Sequence, residues 1–330
     1  LCVQFIHFLN VPVDLQQKFQ GALLGTFVGD ALGMPVEGWS PKAIAKRYGQ
    51  VRDMLDARLG KGTYTDDTQM MIAVTESLVG CHGFDGEDMA QRFLESYEPL
   101  RGYGSGTVQA LKLLEEGVPW NLAGRKVFEG GSFGNGAAMR IAPIGLFYYD
   151  DPYELREKAY LASQITHAHS LGKESAALQA FAVARALLAN PEDSLDVIAF
   201  WADLKEFVEP EATDLLIRLE HVRKFLSGQP EIETLVSTLG NDSRGFASVP
   251  AAIFAFLSHW HSFEEAVVYA VSLGGDTDTI GAMTGAIAGA FHGISKIPGR
   301  WLDDLENDDK GRDYVIKQAT LLYETKMKIV

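Results

Sequence analysis

Four aspartates, grouped at two distant places in the chain, are the residues best equipped for chemistry. Asp276 and Asp278 stand with Thr277 and Thr279 in Gly-Gly-Asp-Thr-Asp-Thr (274–279), and Asp66 and Asp67 follow Thr65 in Tyr-Thr-Asp-Asp-Thr (64–68). Four carboxylates with neighbouring threonine hydroxyls form a hard-oxygen donor set. No soft donor accompanies them, so Mg²⁺ or a similar ion is the implied guest. A single Asp-Asp pair at a helix start would be read as capping and dipole complementation. Two separated Thr/Asp clusters, one attached to a costly glycine stripe, turn the reading toward metal.

That stripe is Gly281, Gly285, Gly289 and Gly293, one glycine every four residues and hence one helix face. Each helical glycine costs about 1 kcal/mol relative to alanine, so a second backbone packed very close is the expected compensation. Gly21, Gly25, Gly29 and Gly33 carry the same spacing and are the expected partner. Thr65 reads as an N-cap, with Asp66 and Asp67 in the first helical turn and an apolar continuation from Met70 to Leu78. The acidic clusters thus lie at two helix N-termini.

Three further groups could bind or react. Gly131, Ser132, Phe133, Gly134, Asn135 and Gly136 form a glycine-rich loop that resembles a phosphate cradle. It is neither a Walker A sequence nor a dinucleotide fingerprint, and positive φ angles alone would also account for its glycines. Phe128 and Phe133 could stack a base or pack the core. His167 and His169 are badly spaced for a shared zinc on a helix, so His167 is expected either to donate to an oxyanion or ribose, or to be a satisfied core histidine. Glu37 lies in the loop Met-Pro-Val-Glu-Gly (34–38), and only its place just beyond the first striped helix raises it above a solvated acid.

The elements required to position these groups are helical. Expected helices include Phe19–Leu32, 66–79 ending at Gly80, Gly86–Tyr97, Thr107–Glu116, 249–259, Phe263–Ser272 and Arg312–Met327, with no period-two strand or hairpin signal. The 330 residues, 47% hydrophobic and 22% charged, suit one globular domain at 19–330 behind an N-terminal extension at 1–18. A net charge of −15 argues against direct nucleic-acid binding. Two cysteines give no disulfide framework, and a cytoplasmic or other reducing compartment is expected. The apolar runs fall short of a membrane span.

Five motifs in order carry a resemblance. Gly-Asp-Ala-Leu-Gly-Met-Pro-Val-Glu (29–37), Tyr-Thr-Asp-Asp-Thr (64–68), Gly-Ser-Phe-Gly-Asn-Gly-Ala-Ala-Met-Arg (131–140), Thr-His-Ala (166–168) and Gly-Gly-Asp-Thr-Asp-Thr-Ile (274–280) resemble the ADP-ribosylglycohydrolase family. The resemblance implies an all-α, single-domain orthogonal helical bundle with a two-metal cleft, acting as a monomer on ADP-ribosylated proteins. It implies two Mg²⁺ ions, with Mn²⁺ able to substitute, held by Thr65, Asp66, Asp67, Asp276, Asp278 and Thr279. By the same carry-over, Gly131 to Gly136 are the diphosphate loop, His167 lies near the distal ribose, Phe133 keeps its stacking on the adenine, and Glu37 is the acid near the scissile bond. Asp66, Asp67 and Asp278 are also candidates for orienting water. Phe133 stands where the serine-specific animal enzymes carry tyrosine, although Arg-Gly-Tyr-Gly-Ser-Gly (101–106) looks like that branch. A serine O-linkage is favoured. Poly-ADP-ribose and O-acetyl-ADP-ribose are further candidate substrates, and an arginine-specific hydrolase of the dinitrogenase-reductase-activating type and a catalytically silent, crystallin-like member remain as alternatives.

Overall fold

Helix follows helix because apolar residues recur at helical spacing between glycine, proline and cap signals. The computed structural model describes residues 14–228 and 230–329, so residues 1–13 of the expected extension lie outside the described residues. Among the described residues are seventeen α-helices and no strand. The first nine are α1 (Leu15–Gly33), α2 (Pro41–Tyr48), α3 (Asp66–Cys81), α4 (Gly86–Ser96), α5 (Ser105–Glu115), α6 (Trp120–Val127), α7 (Ala142–Phe147), α8 (Pro152–Gln164) and α9 (Ser170–Leu188). There follow α10 (Val197–Phe207), α11 (Thr213–Leu226), α12 (Ile232–Leu239), α13 (Gly245–Ser258), α14 (Phe263–Ser272), α15 (Thr277–His292), α16 (Gly299–Asp304) and α17 (Arg312–Met327). None is long and apolar enough to cross a membrane.

At the centre, α1 and α15 lie antiparallel and are buried on all sides, as expected of helices apolar all round. The two glycine stripes face each other. A Cβ added at Gly25 would stand 2.2 Å from the Gly285 carbonyl oxygen, and one at Gly285 would stand 2.0 Å from the Gly25 oxygen. Gly29 meets Gly281 in the same manner, and Gly33 meets the Thr277 carbonyl. The C-terminal end of α1 is therefore held against the N-terminal end of α15. Thr277 fastens that end by donating its hydroxyl to the Gly33 oxygen at 2.9 Å.

Several boundaries differ from those expected, each for a local reason. Helix α1 begins at Leu15 because Asp14 caps it through Gln16 N–H. Helix α3 runs past Gly80 and ends where His82 turns left-handed at φ 55°. Helix α13 begins at Gly245, although Pro250 lies inside it. Its first turn is secured from outside, with Gly245 N–H donating to Phe133 O at 2.9 Å and Asn135 Nδ2 to Ser248 Oγ at 3.1 Å. Helices α2, α6 and α16 were not expected, although Ser40 and Pro41 give α2 an ordinary cap and first residue.

Candidate active site

The C-terminal end of α1 gathers the N-termini of α3 and α15: the glycine contact and Thr277 hold α15, and one buried carboxylate holds α3. Asp30, fully buried on α1, accepts from Thr65 N–H at 3.0 Å and Thr68 N–H at 3.1 Å. The hydroxyls of Thr65 and Thr68 also donate to it, at 2.9 and 2.6 Å. It thereby satisfies donors that any helix N-terminus leaves open. Asp30 was not singled out from the sequence. The available signal was a carboxylate within the apolar, glycine-striped stretch from Gly21 to Gly33, which burial makes tolerable only with partners.

Thus anchored, the two acidic clusters meet. Thr65 Oγ1 and Thr279 Oγ1 lie 3.2 and 3.4 Å from Asp67 Oδ2. Carboxylate oxygens of Glu37, Asp276 and Asp278 all fall within 4.8 Å of one another. Glu37 follows a short 3₁₀ turn, Met34–Val36, and is half-exposed beside Arg58, whose Nη2 is 3.7 Å from its Oε2. Its loop is bracketed on both sides: Gly38 N–H donates to Gly275 O at 2.7 Å and Gly275 N–H to Trp39 O at 2.8 Å. Glu37 therefore belongs to the acidic constellation itself.

Burial and mutual repulsion raise the proton affinity of these carboxyls. Burial pushes Asp66 up to about 7, with the charges of Asp30, Asp276 and Glu37 adding to it. Asp67 is raised well above the carboxylate range by burial, then by Asp30 and Asp66. Asp278 is raised well above it by burial, then by Asp276 and Asp67. Burial likewise raises Asp276, opposed by the Asn135 hydrogen bond, and Glu37, opposed by Arg58. Asp30 rises only to about 6, because Thr68 and Thr65 hydrogen-bond its ionised form. Asp67 Oδ1 is buried without a hydrogen-bond partner among the described residues. Clustered hard-oxygen donors whose charges repel one another, with a stranded lone pair on Asp67, fit a divalent cation.

The glycine loop lies against the same cluster. Asn135 Nδ2 donates to Asp276 Oδ2 at 2.6 Å and to Ser248 Oγ, and Asn135 N–H donates to Ser243 O at 2.8 Å. The expected row of free N–H groups is thus partly used, since Gly131 N–H also donates to Phe128 O and Gly134 N–H to Ser132 Oγ. The N–H groups of Ser132 and Phe133 have no partner among the described residues. Gly131 needs its glycine: φ is +84° and a Cβ would stand 2.5 Å from His169 N. Phe128 and Phe133 are 48% and 43% exposed, large apolar surfaces left open at the loop rather than packed in the core. Phe133 meets His169 edge-on, with ring centroids 5.5 Å apart, and Phe246 at 5.8 Å. His167 is buried beneath Gly134 and Gly136, its Nδ1 2.7 Å from Thr166 Oγ1.

A second rim faces Glu37. Tyr103, on the Arg101–Gly106 loop, donates its hydroxyl to Gln69 Oε1 at 2.7 Å, and Gly102 abuts the Arg58 guanidinium. Neither Arg58 nor Gln69 stood out in the sequence, because each is an ordinary polar residue until the fold places it here.

Comparison with known proteins fits this geometry. Residues 12–328 match the family model of the ADP-ribosylglycohydrolases. The zebrafish protein (Danio rerio) named ADP-ribosylhydrolase ARH3 is 37% identical over 92% of this chain and 90% of its own length. The human (Homo sapiens) protein of that name is 35% identical over 88% and 89%. A solved structure titled ADP-ribosylglycohydrolase-related protein complex superposes with a TM-score of 0.75 at 32% identity, covering 95% of this chain and 99% of that one.

Proposed function

The chain belongs to the ADP-ribosylglycohydrolase family, hydrolases of ADP-ribose glycosidic bonds, and we propose that it is a Mg²⁺-dependent member releasing ADP-ribose from modified protein side chains, with serine O-linkage favoured. The carrying observation is the convergence of Glu37, Asp66, Asp67, Asp276 and Asp278 beside the loop of Gly131 to Gly136, joined through Asn135 and Asp276. Two ions held by Thr65, Asp66, Asp67, Asp276, Asp278 and Thr279 would orient the ribose hydroxyls and polarise the sugar, a role Mn²⁺ could also fill. The loop, through Ser132 and Phe133 N–H, would seat the diphosphate. Phe128 and Phe133 offer faces for the base, and His167 approaches from below.

The reaction breaks the bond between the anomeric carbon and the acceptor oxygen. That oxygen must gain a proton as it leaves, and the water that adds to the carbon must lose one. Glu37 is the group proposed to carry them. Burial raises its pKa, Arg58 opposes the rise and Asp276 adds to it, a direction that suits a carboxyl asked to pass a proton. Asp66, Asp67 and Asp278, as residues that would hold the metal, would also orient the water.

Serine linkage is favoured because the Arg101–Gly106 loop, which carries the serine-branch pattern, lines the rim beside Glu37 through Gly102 and Arg58. Parallel incubation with serine- and arginine-ADP-ribosylated peptides tests it. Release from serine at least about tenfold faster than from arginine is expected, a difference of about 1.4 kcal/mol in barrier, and the reverse order overturns the linkage. A second reading is favoured by the 4.8 Å grouping: Glu37 is itself a ligand. In that case Glu37→Gln weakens Mg²⁺ binding in calorimetry, whereas a proton-carrying Glu37 leaves it nearly unchanged.

A further inference from the structure

Arg140 is fully buried, and its hydrogen-bond partners among the described residues are Met70 Sδ, Ala162 O and Thr166 Oγ1 rather than a carboxylate. Its guanidinium carbon lies 4.5 Å over the Phe93 ring, and its Nε has no partner. Its Nη2 donates to Thr166 Oγ1 at 2.8 Å and to Ala162 O at 3.3 Å. Thr166, also fully buried, stands 2.7 Å from His167 Nδ1. The chain Arg140, Thr166, His167 runs from the protein interior to the underside of the glycine loop. There the His167 ring replaces side chains the loop cannot carry: a Cβ built on Gly136 would stand 3.0 Å from Nε2, and one on Gly134 3.2 Å.

The direction of this chain is fixed by its first member. Arginine can only donate, so Thr166 Oγ1 must accept from it. The Thr166 hydroxyl hydrogen then needs an acceptor of its own, and His167 Nδ1 is the one within reach among the described residues. If Nδ1 carried a proton instead, a buried hydroxyl would be left undonated, which is costly. The guanidinium also polarises the hydroxyl toward donation.

We propose that Arg140 and Thr166 are positioning residues that hold His167 as the tautomer protonated on Nε2, so that it donates a hydrogen bond to an oxygen of the ligand seated at the glycine loop. This rests on the reading of that loop as the seat of ADP-ribose. Nε2 has no partner within the described residues, and His167 is only 5% exposed, so the ligand supplies the acceptor. Burial, then the Arg140 charge, lowers the His167 pKa to about 3, which keeps the ring neutral across the working range.

The test is ¹⁵N NMR of the full chain labelled in histidine, with His167 assigned by its loss in His167→Gln. Nδ1 resonating as unprotonated and Nε2 as protonated, across neutral pH, is the expected result. An Nδ1–H tautomer, a mixture, or a protonation step in that range overturns the proposal. Thr166→Val should release the tautomer and weaken calorimetric affinity for ADP-ribose about 3–10-fold, the loss of one neutral hydrogen bond. Thr166→Ser, which keeps the hydroxyl, should restore both. Should the valine variant not fold, the wild-type spectrum and the serine variant still decide. A wild-type chain that shows the expected tautomer but binds no ADP-ribose would instead overturn the assignment of the loop as its seat.

Discussion

Glu37 and Asp30 are both acids brought to one place, and their surroundings give them opposite tasks. Glu37 is half-exposed, faces Arg58 and shares space with Asp276 and Asp278. Glu37→Gln should lower turnover about 10²–10⁴-fold, the usual value of general acid–base help. ADP-ribose affinity should change little, because the loop and the remaining donors are untouched. A wild-type rate would remove Glu37 from proton transfer. Asp30 faces no solvent and spends its oxygens on Thr65 and Thr68. Asp30→Ala strands two backbone N–H groups at the start of α3, each costing about 1–3 kcal/mol. A fall of that size in metal-free denaturant stability is expected, and an unchanged midpoint would mean that other groups order the α3 terminus. Glu37 could be picked out from its place after the striped helix. Asp30 could not be assigned, because its contacts bridge 35 and 38 positions of chain that no local spacing encodes.

Between helices, the glycine stripes are the device that sets the site's dimensions. With α1 and α15 in backbone contact, Thr277 reaches Gly33 and the acidic end of α15 is held beside Glu37. Adding one methyl group at Gly285 would place a carbon 2.0 Å from the Gly25 carbonyl oxygen, where only backbone can give way. Gly285→Ala should therefore destabilise despite alanine's better helix propensity, by about 1–3 kcal/mol or more. The urea midpoint should fall at constant slope, and a midpoint equal to wild type would show that the helices separate freely. This pairing was legible, since two stripes of the same four-residue period each demand a close backbone and so point to each other. The start of α13 was not, because Pro250 speaks against a helix there and its remedy comes from Phe133 and Asn135, far away in sequence.

Across the whole molecule, the acidic cluster ties stability to pH and metal together. In the metal-free protein burial, then the charge of Asp30, pushes Asp66 up to about 7 from an ordinary 3.8, so between those values the folded state binds a proton more readily than the unfolded chain. Its contribution to stability therefore declines as pH rises from about 4 to about 7. Buried neutral His167 and His292, lowered to about 3 and about 4, act in the opposite sense below about 6.5. The difference between melting curves with Mg²⁺ and with EDTA isolates the cluster, because protons and metal compete for the same oxygens. That difference should grow from about pH 5.5 to about pH 8, and a pH-independent difference would mean that the metal binds elsewhere. The five motifs made the family and most of this cluster readable in advance, whereas the hydrogen bonds that assemble it depend on the fold. The most direct test of the central claim is ADP-ribose release from a serine-ADP-ribosylated peptide by protein exhaustively treated with EDTA, before and after Mg²⁺ is restored. No release before, full release after, and none in Asp276→Ala under either condition is the expected result. Undiminished release in EDTA would contradict it.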